Sequence, residues 1–496
     1  VEEKYMNIVI PAINWASIAP ELVVFITAMI VLLLGAFFPR LSNGFIAGLS
    51  LLGVLLSFLV TASLWGKSEL AFANMLALDN YHLFFNFIFL ICTGLTILAS
   101  IDYFGKSSEP VEHAEYYALL LLACVGMMFM AAGTDLITIF LGLETMSIAI
   151  YILAAFVKKD MRGNEAALKY LLLGAFSTGF LLYGIALIFG ATGSTNLATI
   201  YKYLSGSADI SSPMLLFGMA FLIVGFGFKI ASVPFHMWTP DVYEGAPTVV
   251  TAFMSAGVKA AAFASFLRVF VYALPSLQPN WTAILWVLAI LTMTIGNLAA
   301  LLQENIKRML AYSSIAHAGY IMIGMVAAKH AADDIGTYSI LFYLLAYTFM
   351  NVGAFIIVIL YGRKAEDNLN ISDYAGMGYK YPVLGATMAI FMFSLAGIPP
   401  TAGFIGKFYV FAAAIKSGFI DLAIIGVINS VLSVYYYLRV TVMIYMKEPA
   451  ADQPRLQFSR SAILATTIAA VATMVLGIFP EAFITMARES VSMLLG

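Results

Sequence analysis

Six ionisable side chains sit where an apolar sequence should not hold them. Glu144 lies in DLITIFLGLETMSIAIYILAAFV, Lys229 in FLIVGFGFKIASVPFHMW, Lys259 in TVVTAFMSAGVKAAAFASFLRVF and His317 in MLAYSSIAHAGYIMIGMV. Lys407 follows SLAGIPPTAGFIG, and Lys169 lies nearer the end of its stretch, in NEAALKYLLLGAF. A charge at the middle of a bilayer costs roughly 2.5–3.5 kcal/mol even on the lenient insertion scale, so such groups should face a bundle interior and find a partner. The chemistry they suit is proton transfer. A carboxylate, an amine and an imidazole each take up and release a proton, the imidazole near neutral pH with little help. Single titratable groups on successive helices suit hopping through water, whereas a solute carrier gathers its polar groups into one pocket.

Each residue also has a plainer reading. Glu144 would serve as half of an ion pair that fixes helix packing. Lys229 and Lys407 would snorkel to the interface, although both lie deep. Lys259 would be a packing residue among Ser255, Ala256, Gly257, Ala260, Ala261 and Ala262, small residues that also permit close helix approach and leave room for water. His317, with Ser313, Ser314 and Tyr320 nearby, would be a hydrogen-bonded core histidine. Lys169 would snorkel, or modulate a Glu144–Lys229 pair. Arg268 reads as an anchor near a helix end, Asp135 and Arg439 as interfacial or structural, and His82, His113, His236 and His330 as interfacial. The Met and Tyr stripes read as ordinary packing.

The elements that must position these groups are membrane helices. Hydrophobic residues make up 62% of the 496 and charged residues 10%, against roughly 25% charged in a soluble domain. Apolar stretches long enough to cross a bilayer core are predicted at 18–38, 43–65, 80–101, 114–132, 135–157, 164–192, 211–236, 248–274, 281–303, 306–328, 335–361, 382–418, 419–446 and 462–486. The expected fold is an all-α polytopic membrane protein of about fourteen crossings. The twelfth is too long for one span and holds Gly397, Pro399, Pro400 and Gly403, so it reads as two half-helices. The seventh, with Gly225 and Gly227 before Lys229 and Pro234 after it, is broken too. Such breaks free backbone carbonyls, which is tolerated at depth only where protein or a water cavity satisfies them.

His317 follows Glu144, and Lys407 follows Lys229, by nearly the same interval. That interval spans five helices, so crossings 4–8 match 9–13, and an odd number of crossings inverts the second copy. Inverted repeats with interrupted helices place ion sites at the breaks. The organisation is a single membrane domain (1–496): three N-terminal helices (1–113), a first five-helix repeat (114–274), a second (281–446) and a C-terminal helix (447–496).

Loop charges set an expected orientation. With the N-terminus outside, the inner loops hold Arg40, Lys106, Lys158, Lys159, Arg162, Lys307, Arg308, Arg363, Lys364, Lys380, Lys447, Arg455 and Arg460. The outer side holds only Lys4, Lys67, Lys202, Lys329, Lys416 and Arg488. Both termini then face outside. The opening VEEKYMN is polar and acidic, unlike a signal peptide. A net charge of −2 and no basic cluster argue against nucleic acid. Cys92 and Cys124 lack iron–sulfur or zinc spacing, and no nucleotide fingerprint is present, so no cofactor or redox centre is expected on this chain.

The stretch KIASVPFHMWTPDVYEGAPTVVTAFMSAGVKAA, which begins at Lys229, resembles the signature of the antiporter-like membrane subunits of respiratory complex I, the proton-pumping NADH:quinone oxidoreductase. ENIKRMLAYSSIAHAGY (304–320) and SLAGIPPTAGFIGKFYVF (394–411) resemble that family as well. Relatives of the family occur in multisubunit Na⁺/H⁺ antiporters and membrane-bound hydrogenases. DVYEGAP (241–247) looks like the N branch, the counterpart of mitochondrial subunit 2, rather than L or M. Lys407 agrees, since the M branch typically carries glutamate there. No long lateral helix of the L type follows the fourteenth crossing.

The resemblance implies a role for each matching position. Glu144 and Lys229 would be the coupling ion pair of the first half-channel, with Lys169 beside them. Lys259 would be the central connecting lysine, His317 the next link and Lys407 the residue of the second half-channel. It also implies partners: other membrane-arm subunits, further antiporter-like ones among them, the lipid bilayer of a bacterial plasma (inner) membrane, and NADH and quinone bound by other subunits. The chain would then be part of a proton-translocating enzyme. Two other readings stay open: a subunit of a multisubunit Na⁺/H⁺ antiporter or membrane-bound hydrogenase, and a scaffold of complex I that pumps nothing.

Overall fold

A helix in hydrocarbon must satisfy every backbone group internally, and the sequence supplies the means at helix starts. A computed structural model of the chain describes residues 14–104, 113–206, 210–362, 368–449, 456 and 459–495. Lys4, Lys106, Arg363, Lys364 and Arg455, used above for orientation, lie outside the described residues. Side chains of Ser42, Asp79, Asp135, Asp160, Asn305, Asp334 and Ser459 cap helix N-termini, meeting N–H groups that have no partner within the helix. Proline occupies the first turn of four others, where its missing N–H removes an orphan. Asp135, expected to be interfacial or structural, is such a cap.

The helices run α1 (Ala19–Phe37), α2 (Asn43–Ser63), α3 (Asn80–Ser100), α4 (His113–Ala132), α5 (Leu136–Ala154), α6 (Met161–Thr192), α7 (Leu197–Gly206) and α8 (Pro213–Ile230). α9 (Trp238–Gly245) leads into a continuous rod: α10 (Thr248–Phe253), a π-helical turn (Met254–Val258), α11 (Lys259–Leu267) and a second π-helical turn (Arg268–Ala273). Then come α12 (Gln278–Leu301), α13 (Ile306–Ala327), α14 (Ile335–Tyr361), α15 (Met377–Lys380), α16 (Pro382–Ala396), α17 (Ala402–Lys416), α18 (Ile420–Met446), α19 (Arg460–Ile478) and α20 (Glu481–Leu495). Among the described residues, thirteen helical segments are long and apolar enough to cross a membrane. The broken pair α16 and α17 supplies the fourteenth crossing.

Both predicted breaks are present. α8 ends at Ala231, which takes a left-handed φ of 60°, and α16 ends at Gly397 with φ 86°. The peptide bonds before Pro234 and Pro400 are cis. The seventh crossing stops at Ile230, earlier than the expected 236, and its second half is the short α9. The fourteenth stops at Ile478, not 486. Pro480 cannot continue the ladder, and α20 then buries Ile484, Ala487, Val491 and Leu494 along one face. α7, the π-helical turns and a small hairpin (β1 Glu69–Ala71, β2 Leu76–Leu78) had no strong sequence signal.

The rod 248–273 and α14 are buried along their whole length and form the centre, while α1, α2, α6, α12, α18 and α19 turn most of their surface outward. Small residues set the closest approaches. A Cβ on Gly126 of α4 would lie 2.5 Å from the backbone nitrogen of Met146 on α5, so these two helices pack backbone to backbone.

One buried ion pair ties α3 to the rod. Arg268 grips both carboxylate oxygens of Asp79 at 3.0 Å, donates from Nε to the Ala131 carbonyl at 3.0 Å and lies over the Tyr81 ring. It is 2% exposed, so it is not the interfacial anchor the sequence suggests. Its place on a helix end misleads because α3 and α4 close over it. Asp79→Ala would leave a buried guanidinium without its counter-charge. It should destabilise the chain by about 3–5 kcal/mol, most of it recovered in an Asp79→Leu/Arg268→Met double variant. Equilibrium unfolding in mixed detergent micelles measures both.

Candidate functional site

Among the described residues, Lys229, Lys259 and Lys407 lie in the interior with no carboxylate in ion-pair contact. Lys229, on the last turn of α8, is 1% exposed. Its ammonium donates to Ser147 Oγ at 2.8 Å and to Tyr151 OH at 3.4 Å, and three aromatic rings surround it. Ser147 and Tyr151 follow Glu144 on α5 at helical spacing, so one face of α5 presents all three. Glu144 itself is half-buried, at the α5–α6 edge of the bundle, where it accepts from Thr178 Oγ1 at 3.0 Å. It neither faces the deep interior nor closes an ion pair with Lys229. The Lys229 ammonium meets the hydroxyl of Ser147 instead, which itself donates to the Leu143 carbonyl. The expected contact pair is an open one.

Lys169 does not join them. Its side chain is 42% exposed and pairs with Glu165 at 2.8 Å and Asp241 at 2.9 Å. Asp241 also receives Arg308 at 2.9 Å, and Arg308 reaches Glu244 at 2.8 Å. The acidic residues of DVYEGAP thus join α6, α9 and α13 around a cleft of about 180 Å³. Burial pushes the Asp241 carboxyl up, but hydrogen bonds from Lys169 and Arg308 outweigh it and hold the group below the usual carboxylate range. Lys307, expected in an inner loop, is buried and donates to the Ala246 carbonyl at 2.7 Å.

Lys259 emerges from the first π-helical turn. It donates to the Ser314 carbonyl at 2.6 Å and to Ser314 Oγ at 2.5 Å. A π-helical turn shifts the hydrogen-bond register and re-aims side chains, and here it brings the lysine against α13. One turn along α13, His317 is held between two phenols, Nδ1 2.8 Å from Tyr343 OH and Nε2 3.0 Å from Tyr437 OH. Tyr437 also bonds Ser313. A turn further, the ring of Tyr320 packs edge-on to His317 and lies 4.8 Å from the Lys407 ammonium. Lys407 donates to the carbonyls of Leu395 at 3.1 Å and Ala396 at 2.9 Å, and to Ser430 Oγ at 3.0 Å.

The structure therefore joins Lys259, His317 and Lys407 into one stripe along α13, with Ser314 and Tyr320 between them. Lys229 and Glu144 form a separate group, and among the described residues no hydrogen bond links the two groups. The phenols of Tyr151, Tyr343 and Tyr437 bond Lys229 or His317, contacts that the packing reading of the tyrosines does not foresee. A serine or tyrosine three or four positions from Glu144 or His317 signals Ser147, Ser313, Ser314 and Tyr320, whereas Tyr151, Tyr343 and Tyr437 have no such spacing. The two breaks also act differently. At Lys407 the freed carbonyls hold the ammonium. At Lys229 the Phe228 carbonyl goes to Trp238 Nε1 and that of Gly227 to Ser232, leaving side-chain hydroxyls for the lysine.

A second buried constellation lies apart from these. His82, expected at the interface, is wholly buried on α3, with Nε2 2.6 Å from Glu21 Oε1 of α1. The sequence misleads because both residues sit one turn from a helix end, yet α4 covers them.

The chain matches the family model described as NADH:quinone oxidoreductase/Mrp antiporter over residues 133–433. It is 50% identical over 482 residues to NADH-quinone oxidoreductase subunit N of Trichlorobacter lovleyi, covering 97% of this chain and 98% of that one. It is 43% identical to subunit N of Chloroflexus aggregans, covering 99% and 100%. Among solved structures, a chain of respiratory complex I from Thermus thermophilus superposes with TM-score 0.79 at 34% identity, covering 94% and 98%. A chain of the archaeal membrane-bound sulfane sulfur reductase shares the fold at TM-score 0.84 and 24% identity, covering 97% and 98%. The chain therefore belongs to the NADH:quinone oxidoreductase/Mrp antiporter family of membrane subunits, among the relatives named NADH-quinone oxidoreductase subunit N.

Proposed function

We propose that this chain is the proton-translocating N subunit of the membrane arm of respiratory complex I. In this reading, electron transfer from NADH to quinone runs on other subunits, and this one carries no redox centre. Coupling moves protons through Glu144 and Lys229, then Lys259, His317 and Lys407. Lys169 tunes the entrance through its contact with Asp241. The observation that carries the reading is chemical selection among buried cations. Arginine, which cannot release its proton, is buried among the described residues only as Arg268, a capped pair with Asp79. Lysine, which shifts its protonation readily when buried, is buried at 229, 259 and 407 without a carboxylate partner, on hydroxyls and carbonyls. A scaffold would gain nothing from three unpaired amines in a low-dielectric interior. A proton path needs groups that exist in both protonation states.

In a bacterial plasma membrane, both termini of the chain lie on the outer side. The exposed residues Arg40, Lys158, Lys159, Arg162, Lys380, Lys447 and Arg460 then face the cytoplasm, and Lys67, Lys202, Lys329, Lys416 and Arg488 the exterior.

Three measurements test this reading. In inverted membrane vesicles, NADH-driven pumping by an assembled complex with Lys229→Ala should fall at least about tenfold, together with NADH:quinone turnover. Parent-like pumping at parent-like assembly on a native gel would make the chain a scaffold. In the second test, a Cβ at Gly397 would meet Lys407 Cδ at 2.9 Å on a backbone with φ 86°, so Gly397→Ala should displace the ammonium and lower pumping. Gly179→Ala, with nothing within 4 Å, should not. Thirdly, a cysteine at Lys159 should react with an impermeant maleimide only from the cytoplasmic side, and one at Lys416 only from outside. The reverse pattern would invert the topology. Native Cys92 and Cys124 are buried and should stay silent.

A further inference from the structure

Glu21 on α1, and His82 and Asn86 on α3, form a closed polar triangle with no other charged group in it. His82 Nε2 lies 2.6 Å from Glu21 Oε1, and the Asn86 amide donates to Oε1 at 3.1 Å and lies 2.8 Å from Nε2. The Glu21 and His82 side chains are each 1% exposed. None of the six residues discussed above takes part.

The charged and titratable groups on the surrounding elements are already engaged, neutral or exposed. Asp79 and Arg268 satisfy each other, and Lys259 is held by Ser314. On α20, Arg488 reaches Asp333 while Glu481 and Glu489 are exposed. On α4, the Cys124 thiol feels the field of Glu21, and Tyr116 bonds Ser100. Nothing nearby balances an isolated carboxylate at Glu21. With one added proton the pair is neutral, whether that proton sits on Oε1 or on Nε2. A 2.6 Å separation lets it pass between them as a short charge-assisted bond.

What separates this pair from a packing pair is its outer atoms. The Asp79–Arg268 pair, immediately before it on α3, is capped throughout: Asp79 Oδ1 accepts the His82 backbone N–H and one guanidinium nitrogen, Oδ2 accepts another, and Nε meets Ala131. In the Glu21–His82 pair, the atoms on the far side of each group, His82 Nδ1 and Glu21 Oε2, are buried and have no partner, nor does Asn86 Oδ1. Native structures rarely leave such atoms unmet without a reason. Glu21 is also not simply a helix N-terminal charge. It sits in the first turn of α1, but its hydrogen bonds go to α3. His82 stands in the first turn of α3, so both groups lie about one turn from the same end of their helices.

We propose that Glu21 and His82 form a further proton-binding site, in which one proton is shared between Oε1 and Nε2 and is exchanged through the free atoms Nδ1 and Oε2. With the imidazole proton on Nε2 and the carboxyl proton on Oε2, a proton accepted at Nδ1 drives the one on Nε2 to Oε1 as the one on Oε2 leaves, so the pair is neutral before and after. Asn86 holds the two groups in line and carries no proton itself. As a station of the pump, near the end of the first three helices, the site rests on the proton-translocating reading above.

The test is NADH-driven pumping in inverted vesicles with assembled complex carrying Glu21→Gln, Glu21→Asp or His82→Gln, with the amount of complex read on a native gel. Glutamine keeps the size and the hydrogen bonds of Glu21 but cannot carry the proton. Glu21→Gln and His82→Gln should assemble as the parent does and lose pumping several-fold, and Glu21→Asp should retain most of it. Parent-like pumping in assembled Glu21→Gln would overturn the site and leave a packing pair. If Glu21→Gln fails to assemble, His82→Gln decides in the same way. Parent-like pumping in assembled Lys229→Ala would sink the reading on which the site rests, whereas loss in Lys229→Ala beside parent-like pumping in assembled Glu21→Gln would sink this site alone.

Discussion

A charge inside a bilayer must be cancelled or be removable, and that constraint organises this protein. Arginine and lysine answer it differently. Arg268 is permanently charged and is cancelled by Asp79, with every polar atom capped. The lysines at 229, 259 and 407 rest on neutral oxygens, an arrangement that suits an amine whose proton comes and goes. Everything else at the centre of the bundle supports the two answers: the rod 248–273 brings Arg268 and Lys259 inward, and α13 and α14 surround the lysine stripe with serine and tyrosine hydroxyls.

Those hydroxyls matter because they both donate and accept. A carboxylate next to each lysine would lock the charge in place. Serine and tyrosine accept from the ammonium, and they can turn to donate to an amine. His317 between two phenols repeats the pattern with an imidazole. The breaks in α8 and α16 add backbone carbonyls to the same vocabulary, used directly at Lys407 and diverted to Trp238 and Ser232 beside Lys229. The two halves are alike in outline and different in the chemistry that faces the amine.

At the DVYEGAP end the rules relax. Lys169, Asp241, Arg308 and Glu244 are partly exposed, so each charge keeps some water and their mutual attraction is modest. Such a network suits adjustment more than rigid support. It couples α6 to α13, the helices that flank Glu144 and carry His317, so a change in how Lys169 divides itself between Glu165 and Asp241 would be felt in both halves.

The sequence alone determined the class, the number of crossings, both broken helices and the depth of Lys229, Lys259, His317 and Lys407. Composition and apolar length follow from the bilayer, which acts on every residue independently of its neighbours. Proline and glycine act on their own backbone in the same local way. Tertiary structure decided which groups meet. Glu144 and Lys229 share a region but not a contact, since Glu144 turns to Thr178 and Lys229 to Ser147 and Tyr151. Lys169 turns to Asp241, and Arg268 and His82 are interior although each lies near a helix end. Depth along one helix is legible from spacing. Whether a neighbouring helix covers that depth depends on packing between segments far apart in the chain, and no local pattern encodes it.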